Sequence, residues 1–314
     1  MVENEEISVV LGATGGAGGA VVRELVRRGA RVRAVTHRGR GTLPAGVEAV
    51  RGDATDAASM REACRGAAVV YHCAGAPYAE WADALPRMTA AVIEGAAAAG
   101  ARLVYADNLY AYGPVQGPLT EDTPPTAATR KGALRARIAE TLLEAHRAGR
   151  VRVALGRASD FYGPGALNAM AGERVFARAL AGQRALWLGS LDAPHSLTFI
   201  DDFARVLITL GAREEAWGRV WHAPDAGALT GREFLSLVFA ELGRPPRLGS
   251  NGRTALRLVG LFSAQLRELG ELMYQFEQPF VLDGSRYTRA FGEAATPHRE
   301  AIRTTLAWYR RREA

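Results

Sequence analysis

With 314 residues, the chain can build one large domain or two joined ones around a substantial core, which excludes a disulfide-stapled mini-protein. Its make-up is 48% hydrophobic and 23% charged, with 35 Gly and 14 Pro, and excludes a disordered or collagen-like chain. The net charge is +6, yet arginines alternate with acids along stretches such as Arg135–Glu144 and no aromatic-interleaved basic patch occurs, so nucleic acid is not an expected partner.

In chain order, the β-branched run Ile7–Leu11 stops at a glycine-rich turn, Gly12 to Gly19, after which Val21, Val22, Leu25 and Val26 recur at helical spacing as far as Gly29. Strands follow at Arg31–Val35 and Val47–Val50, a helix at Asp56–Arg65 and a strand at Ala67–Tyr71. Next come an alanine-rich helix over 84–99, a strand at Arg102–Ala106, a long helix over 129–147 and a strand at Val151–Leu155. Alternating strands and helices predict an α/β fold, a Rossmann-type doubly wound parallel sheet whose ligands bind beyond the carboxyl ends of its strands.

After Gly156 the pattern becomes irregular, with helices predicted at 172–182, 201–211, 231–242 and 253–276. This part reads as a smaller, mostly helical C-terminal cap for substrate. The predicted division is 1–158, completed by about 196–222, for the sheet domain, and 159–195 with 223–314 for the cap.

Gly12-x-x-Gly15-x-x-Gly18 stands where a pyrophosphate loop must, after the first strand and at the opening of the first helix. Glycines allow the tight turn and close backbone approach, and the helix N-terminus supplies amide donors. About 20 residues on, a carboxylate would read the ribose 2′-hydroxyl of NAD. No acidic residue occurs between Glu24 and Glu48; Thr36 takes that place and Arg38 lies near it. NADP(H) is therefore favoured over NAD(H), since a guanidinium suits a 2′-phosphate.

Cys64 and Cys73 form no CxxC and have no histidine at ligand spacing, so neither a structural zinc nor any other metal is expected. No run of about 18 apolar residues occurs, and the first residues are acidic; a cytoplasmic location with no membrane partner is expected.

These residues resemble the extended branch of the short-chain dehydrogenase/reductase superfamily, the NAD-dependent epimerase/dehydratase-like proteins, over essentially the whole chain. Gly12-Ala-Thr14-Gly15-Gly-Ala-Gly18 looks like the branch's TGxxGxxG loop. Gly52-Asp53-Ala54-Thr-Asp56 looks like its adenine-contacting segment, and Tyr71-His-Cys73-Ala74-Gly75 like the loop beneath the cofactor. Tyr112-Gly113-Pro114, Tyr162-Gly163-Pro164 and Phe199-Ile-Asp201-Asp202 look like its later signatures. The resemblance implies a Ser or Thr after the fifth strand and a Tyr-x-x-x-Lys pair on the next helix for proton exchange with a substrate oxygen. Counting back from Gly113, the Ser/Thr position falls on Asn108. If Lys131, the only lysine beside 38 arginines, is the family lysine, the tyrosine position is Ala127; if Ala139-Glu140 sets the register, the pair is Gly132 and Ala136. In either register the tyrosine is missing, which makes the chain an atypical member.

Asn108, Tyr110, Asp107 and Lys131 are the candidate catalytic residues, with Asp107 expected to hold a water or act as an acid or base. Asp160 and Tyr162 follow strand six, and His195 stands where sugar-nucleotide enzymes of the branch carry a phosphate-binding arginine, so Tyr162 and His195 are candidate substrate residues. The loss of that arginine speaks against a nucleotide sugar. The apolar positions from Leu256 to Phe276 suggest instead a small apolar carbonyl or unsaturated substrate. The leading expectation is an NADP(H)-dependent oxidoreductase; the alternatives are an epimerase or dehydratase that keeps its cofactor bound, and a catalytically silent sensor. The resemblance also implies a homodimer through helices 84–99 and 129–147.

Overall fold

The computed structural model describes residues 6–39, 41–126, 128–251 and 270–313. The chain divides into two compact units: Met1–Asn108 with Ala133–Arg157 and Phe203–Trp221, and Leu109–Gly132 with Ala158–Asp202 and His222–Ala314. The stretch 109–132, which the sequence division keeps with the sheet domain, groups with the second unit.

The first unit is built on a seven-stranded sheet. Its strands are β1 (Ile7–Leu11), β2 (Arg31–Thr36), β3 (Glu48–Arg51), β4 (Ala67–His72), β5 (Arg102–Asn108), β6 (Val153–Ala158) and an edge strand at Arg219–His222. The order is edge strand, β6, β5, β4, β1, β2, β3, with β1 parallel to β2 and β4, β2 to β3 and β4 to β5. This is the doubly wound arrangement, and its order reverses beside β1.

The helix α1 (Gly16–Arg27) buries Val21, Val22 and Leu25 and ends where Gly29, at φ 73°, takes the left-handed turn. α2 (Ala57–Ala63) is capped by Asp56, whose carboxylate accepts the Ser59 N–H at 2.6 Å, so the predicted helix loses its frayed ends on both sides. The helices α3 (Trp81–Ala98) and α4 (Arg130–Arg147) complete the run.

Four strands run further toward their carboxyl ends than the apolar pattern predicts, to Thr36, His72, Asn108 and Ala158. A hydrophobicity criterion stops at the last apolar residue. Backbone pairing continues past it, and at the end of β5 the Asp107 carboxylate meets Arg157 of β6 at 2.8 Å. His72 closes β4 in register with Leu11 and Tyr105, its ring edge-on to Tyr105 at 5.1 Å. It is 3% exposed, and its Nδ1 has no hydrogen-bond partner among the described residues.

In the second unit, three two-stranded ladders accompany the helices: Asp160–Tyr162 with Leu197–Phe199, Pro194–His195 with Leu229–Thr230, and Ala185–Leu188 with Leu248–Asn251. The sequence reading resolves none of them, because strands of two to four residues are too short to show a period. Its core gathers Tyr162, Phe176, Trp187, Phe234, Phe239 and Leu306, each side chain contributing about 1.5–3 kcal/mol by leaving water. The helix predicted at 172–182 shrinks to Phe176–Leu180; residues 166–175 form consecutive turns in which Gly172 packs against the Ala166 and Leu167 carbonyls. Of the helix predicted at 253–276, the turn Gly270–Leu272 and the helix Tyr274–Glu277 are described; the positions from Leu256 to Leu269 lie outside the described residues, as does Ala127.

Two substitutions test this architecture. Gly12 sits at φ 76°, and a Cβ there would stand 2.6–2.8 Å from backbone atoms of Ala74 and Cys73. Gly12→Ala should therefore destabilise the protein by about 3 kcal/mol in urea unfolding. Burial, aided by the Arg135 charge, pushes the His72 pKa down to about 3. The unfolded chain then binds the extra proton between about pH 6.5 and pH 3, so stability rises with pH across that window and falls on acidification. His72→Gln should flatten the dependence between pH 6.5 and 5 by at most about 1.4 kcal/mol per pH unit, read from denaturation midpoints.

Candidate functional site

A cleft of about 550 Å³ in the first unit opens at the carboxyl ends of β1 to β4. Gly12, Thr14 and Gly15 line it from the first turn, Asp53 and Ala54 from the segment after β3, and Cys73, Ala74 and Gly75 from the loop after β4. The structure thus brings together eight of the ten residues that sequence reasoning assigned to the cofactor. Gly18 lies beneath them: a Cβ there would come within 2.2 Å of the Gly12 carbonyl oxygen, so its lack of a side chain lets α1 close on the turn.

Arg38 is the exception. It is exposed and does not line the cleft, whereas buried Thr36 and exposed His37 do, because the chain turns away directly after β2. Thr55, from the segment read as adenine-contacting, also lines the cleft, as do Ala76, Pro77, Glu80, Ala84 and Met88, which were not foreseen. Ala84 and Met88 are four apart on α3, a helical face that spacing alone does not tell from core.

The groups present suit a dinucleotide. Gly15, the N-cap of α1, offers no side-chain cap, and no acidic residue occupies the first turn, so the amides and the positive end of the helix are left for an anion. Asp53 accepts the Thr55 N–H at 2.8 Å and its hydroxyl at 2.7 Å, and these two bonds hold the carboxyl below its usual range. Burial pushes the Cys73 thiol up to about 12, so it lines the cleft as a neutral group.

The catalytic candidates fare unevenly. Asp107 lies inside β5 rather than after it, and its side chain is wholly covered. One carboxylate oxygen takes the Arg157 Nε–H at 2.8 Å, and the other stands 3.5 Å from Arg135 Nη1. It is an anchor between two arginines, and the expectation that it holds a reacting water is corrected accordingly. Lys131 is 4% exposed; its ammonium donates to Glu271 at 3.1 Å, and Glu271 also faces its backbone N–H. The ammonium is thus committed to a carboxylate of its own unit.

Gly132 packs against Tyr110, where a Cβ would come within 2.5 Å of the Tyr110 carbonyl oxygen. Neither a tyrosine nor any other side chain fits at that place in α4, and the phenol rooted beside it is that of Tyr110. Asn108 ends β5 and Tyr110 opens the 3-10 turn Tyr110–Tyr112, both half-buried. Tyr112 is enclosed: its hydroxyl donates to His222 Nε2 at 2.6 Å, and His222 Nδ1 bonds the Asp283 carbonyl.

The two substrate candidates are interior groups. Tyr162 is 1% exposed, ringed by Phe176, Phe199 and Phe234, with its hydroxyl against His298. His195, 2% exposed, bonds Asp160 through Nε2 at 2.9 Å and the Gln275 carbonyl through Nδ1 at 3.0 Å, between the rings of Phe276 and Phe280. Both were placed at the substrate because they follow a strand or precede paired aspartates; short ladders draw them into the core instead. No group of three or more metal-ligating side chains occurs among the described residues, and no described helix is long and apolar enough to cross a membrane.

No curated protein matches the chain. Among solved structures, MoeE5 in complex with UDP-glucose and NAD is 22% identical, covering 98% of this chain and 99% of that one, with a TM-score of 0.77. The dTDP-glucose 4,6-dehydratase of Bacillus anthracis in complex with NAD is 15% identical, covering 98% and 97%, at 0.80. A nucleoside-diphosphate-sugar epimerase from Pseudomonas aeruginosa is 19% identical, covering 98% of each chain, at 0.76. These likenesses establish the shared fold. The model of the NAD dependent epimerase/dehydratase family matches residues 8–221, and with the glycine turn, the sheet order and the strand-end cleft already in place, the chain belongs to that family.

Proposed function

We propose that this protein is a nicotinamide-dinucleotide-dependent enzyme that exchanges hydride with a carbonyl or carbinol carbon. The observation that carries the reading is the α1 turn, where Gly12 and Gly18 leave room only for backbone and an uncapped helix start faces the cleft. Its amides would hold the diphosphate, and the dinucleotide would supply the hydride chemistry there. The Asn108 amide donates a hydrogen bond to the substrate oxygen, and Tyr110 exchanges the proton with it in place of the missing family tyrosine. Asp107, fixed by Arg157, orients the end of β5 that leads to Asn108.

Family membership supports an epimerase or dehydratase course, in which hydride returns to the substrate in the same turnover. The alternative, a net reductase of a small apolar carbonyl compound, draws support from His195, whose two ring nitrogens are committed to Asp160 and Gln275. Toward the cofactor, the end of β2 offers the cleft Thr36 and His37 and no carboxylate, which supports NADP(H) over NAD(H). The solved relatives carry NAD, and titration distinguishes the two.

Fluorescence titration should show NADPH binding about tenfold more tightly than NADH; equal affinities overturn the 2′-phosphate preference. With a panel of ketones and enones, net oxidation of the reduced cofactor identifies a reductase, and conversion without net oxidation the epimerase or dehydratase course. Tyr110→Phe should lower kcat about 100-fold at unchanged cofactor affinity. An unchanged kcat removes Tyr110 from the chemistry, and tight binding with no turnover of any substrate favours the sensor.

A further inference from the structure

We propose that Arg135 is a positioning residue for the dinucleotide cleft, acting through the Trp81 ring on the loop that follows β4; the proposal rests on the dinucleotide reading above. Trp81 opens α3 and is 7% exposed. Its indole N–H donates to the Ala76 carbonyl at 2.9 Å, and Ala76 belongs to the run Cys73–Pro77 that lines the cleft. One hydrogen bond thus ties the wall of the cleft to a buried ring.

The ring is held in turn. The Arg135 guanidinium stands over it, with its central carbon 4.6 Å from the ring centroid, well inside the range of cation–π attraction. The guanidinium is oriented by donating to the Tyr105 hydroxyl at 2.7 Å, and it lies 3.5 Å from Asp107, whose other oxygen is taken by Arg157. A planar cation with several donors can meet a hydroxyl and a carboxylate at its edge while presenting its face to an indole. The contacts run from β5 and β6 through α4 and α3 to the Ala76 carbonyl, all within the first unit. Arg135 itself does not line the cleft, so its influence on a bound dinucleotide passes through Trp81.

The test is a double-mutant cycle in the full chain. Arg135→Met keeps the bulk and removes the cation; Trp81→Phe keeps a ring and removes the donor to Ala76. Each variant should weaken dinucleotide binding roughly tenfold. The double variant should weaken it no more than about threefold further, because both changes break one chain of contacts. A double variant weakened by the product of the two factors overturns the proposal, as do unchanged affinities. A readout free of ligand is the hydrogen exchange of the Trp81 indole N–H, identified by its loss in Trp81→Phe: Arg135→Met should speed it at least tenfold. Unchanged exchange overturns the proposal, and so does faster exchange with wild-type affinity, which would make Arg135 structural only. If Arg135→Met does not fold, the weaker binding of Trp81→Phe alone carries the test, and its wild-type affinity overturns the proposal. A wild-type protein that binds no dinucleotide overturns the functional reading itself, a result distinct from these.

Discussion

At Gly12 and Gly18, around the first turn, there is no room for a Cβ atom. Gly12 lies against the backbone of the loop after β4, and Gly18 against the Gly12 carbonyl. β1, the start of α1 and the exit of β4 therefore meet as bare backbone. That contact sets how deep α1 seats on the sheet, and so where its uncapped amides point. Thr36, Asp53 and Cys73 arrive from the neighbouring strand ends around the space this leaves. Placing the site at the strand ends thus follows from one steric constraint at two glycines.

The chain handles charge in two ways. Surface arginines pair with acids one helical turn away, as Arg27 and Arg28 do with Glu24, in contacts worth a few tenths of a kcal/mol each. The contacts around Asp107, Lys131 and His195 are largely buried, and removing one partner would leave the other without its bond. While whole they hold geometry, their attraction offset in large part by the cost of taking the groups out of water. All three involve residues that sequence reasoning assigned to catalysis or to substrate.

That error has a physical origin. The fold was readable because its signals are local: a β-branched run, a glycine turn and an apolar helix face recur in the first 30 residues, and each governs its own backbone. The cofactor turn was readable for the same reason. Which way a polar side chain turns at a strand end is not local. Asp107 is taken by Arg157, 50 residues on, and Lys131 by Glu271, 140 residues on, and no periodicity announces either partner. Tyr162 and His195 were misplaced because the ladders that carry them inward pair residues from 34 to 37 apart, in runs too short to recognise. Arg38 was misplaced by one residue, since sequence distance from a strand end does not say on which side of a turn a long side chain leaves.

The pairing of Lys131 with Glu271 has a consequence for how this protein meets reagents. A chain with 38 arginines and one lysine presents its positive charge as guanidinium, which acylating and aldehyde reagents leave largely alone. Its one lysine amine is buried and bonded to a carboxylate, hence shielded from attack. Modification at Lys131 waits for the start of α4 to come away from Glu271. A slow acylation of that amine would count these openings, making the least abundant residue in the chain a clock for local unfolding in its second unit.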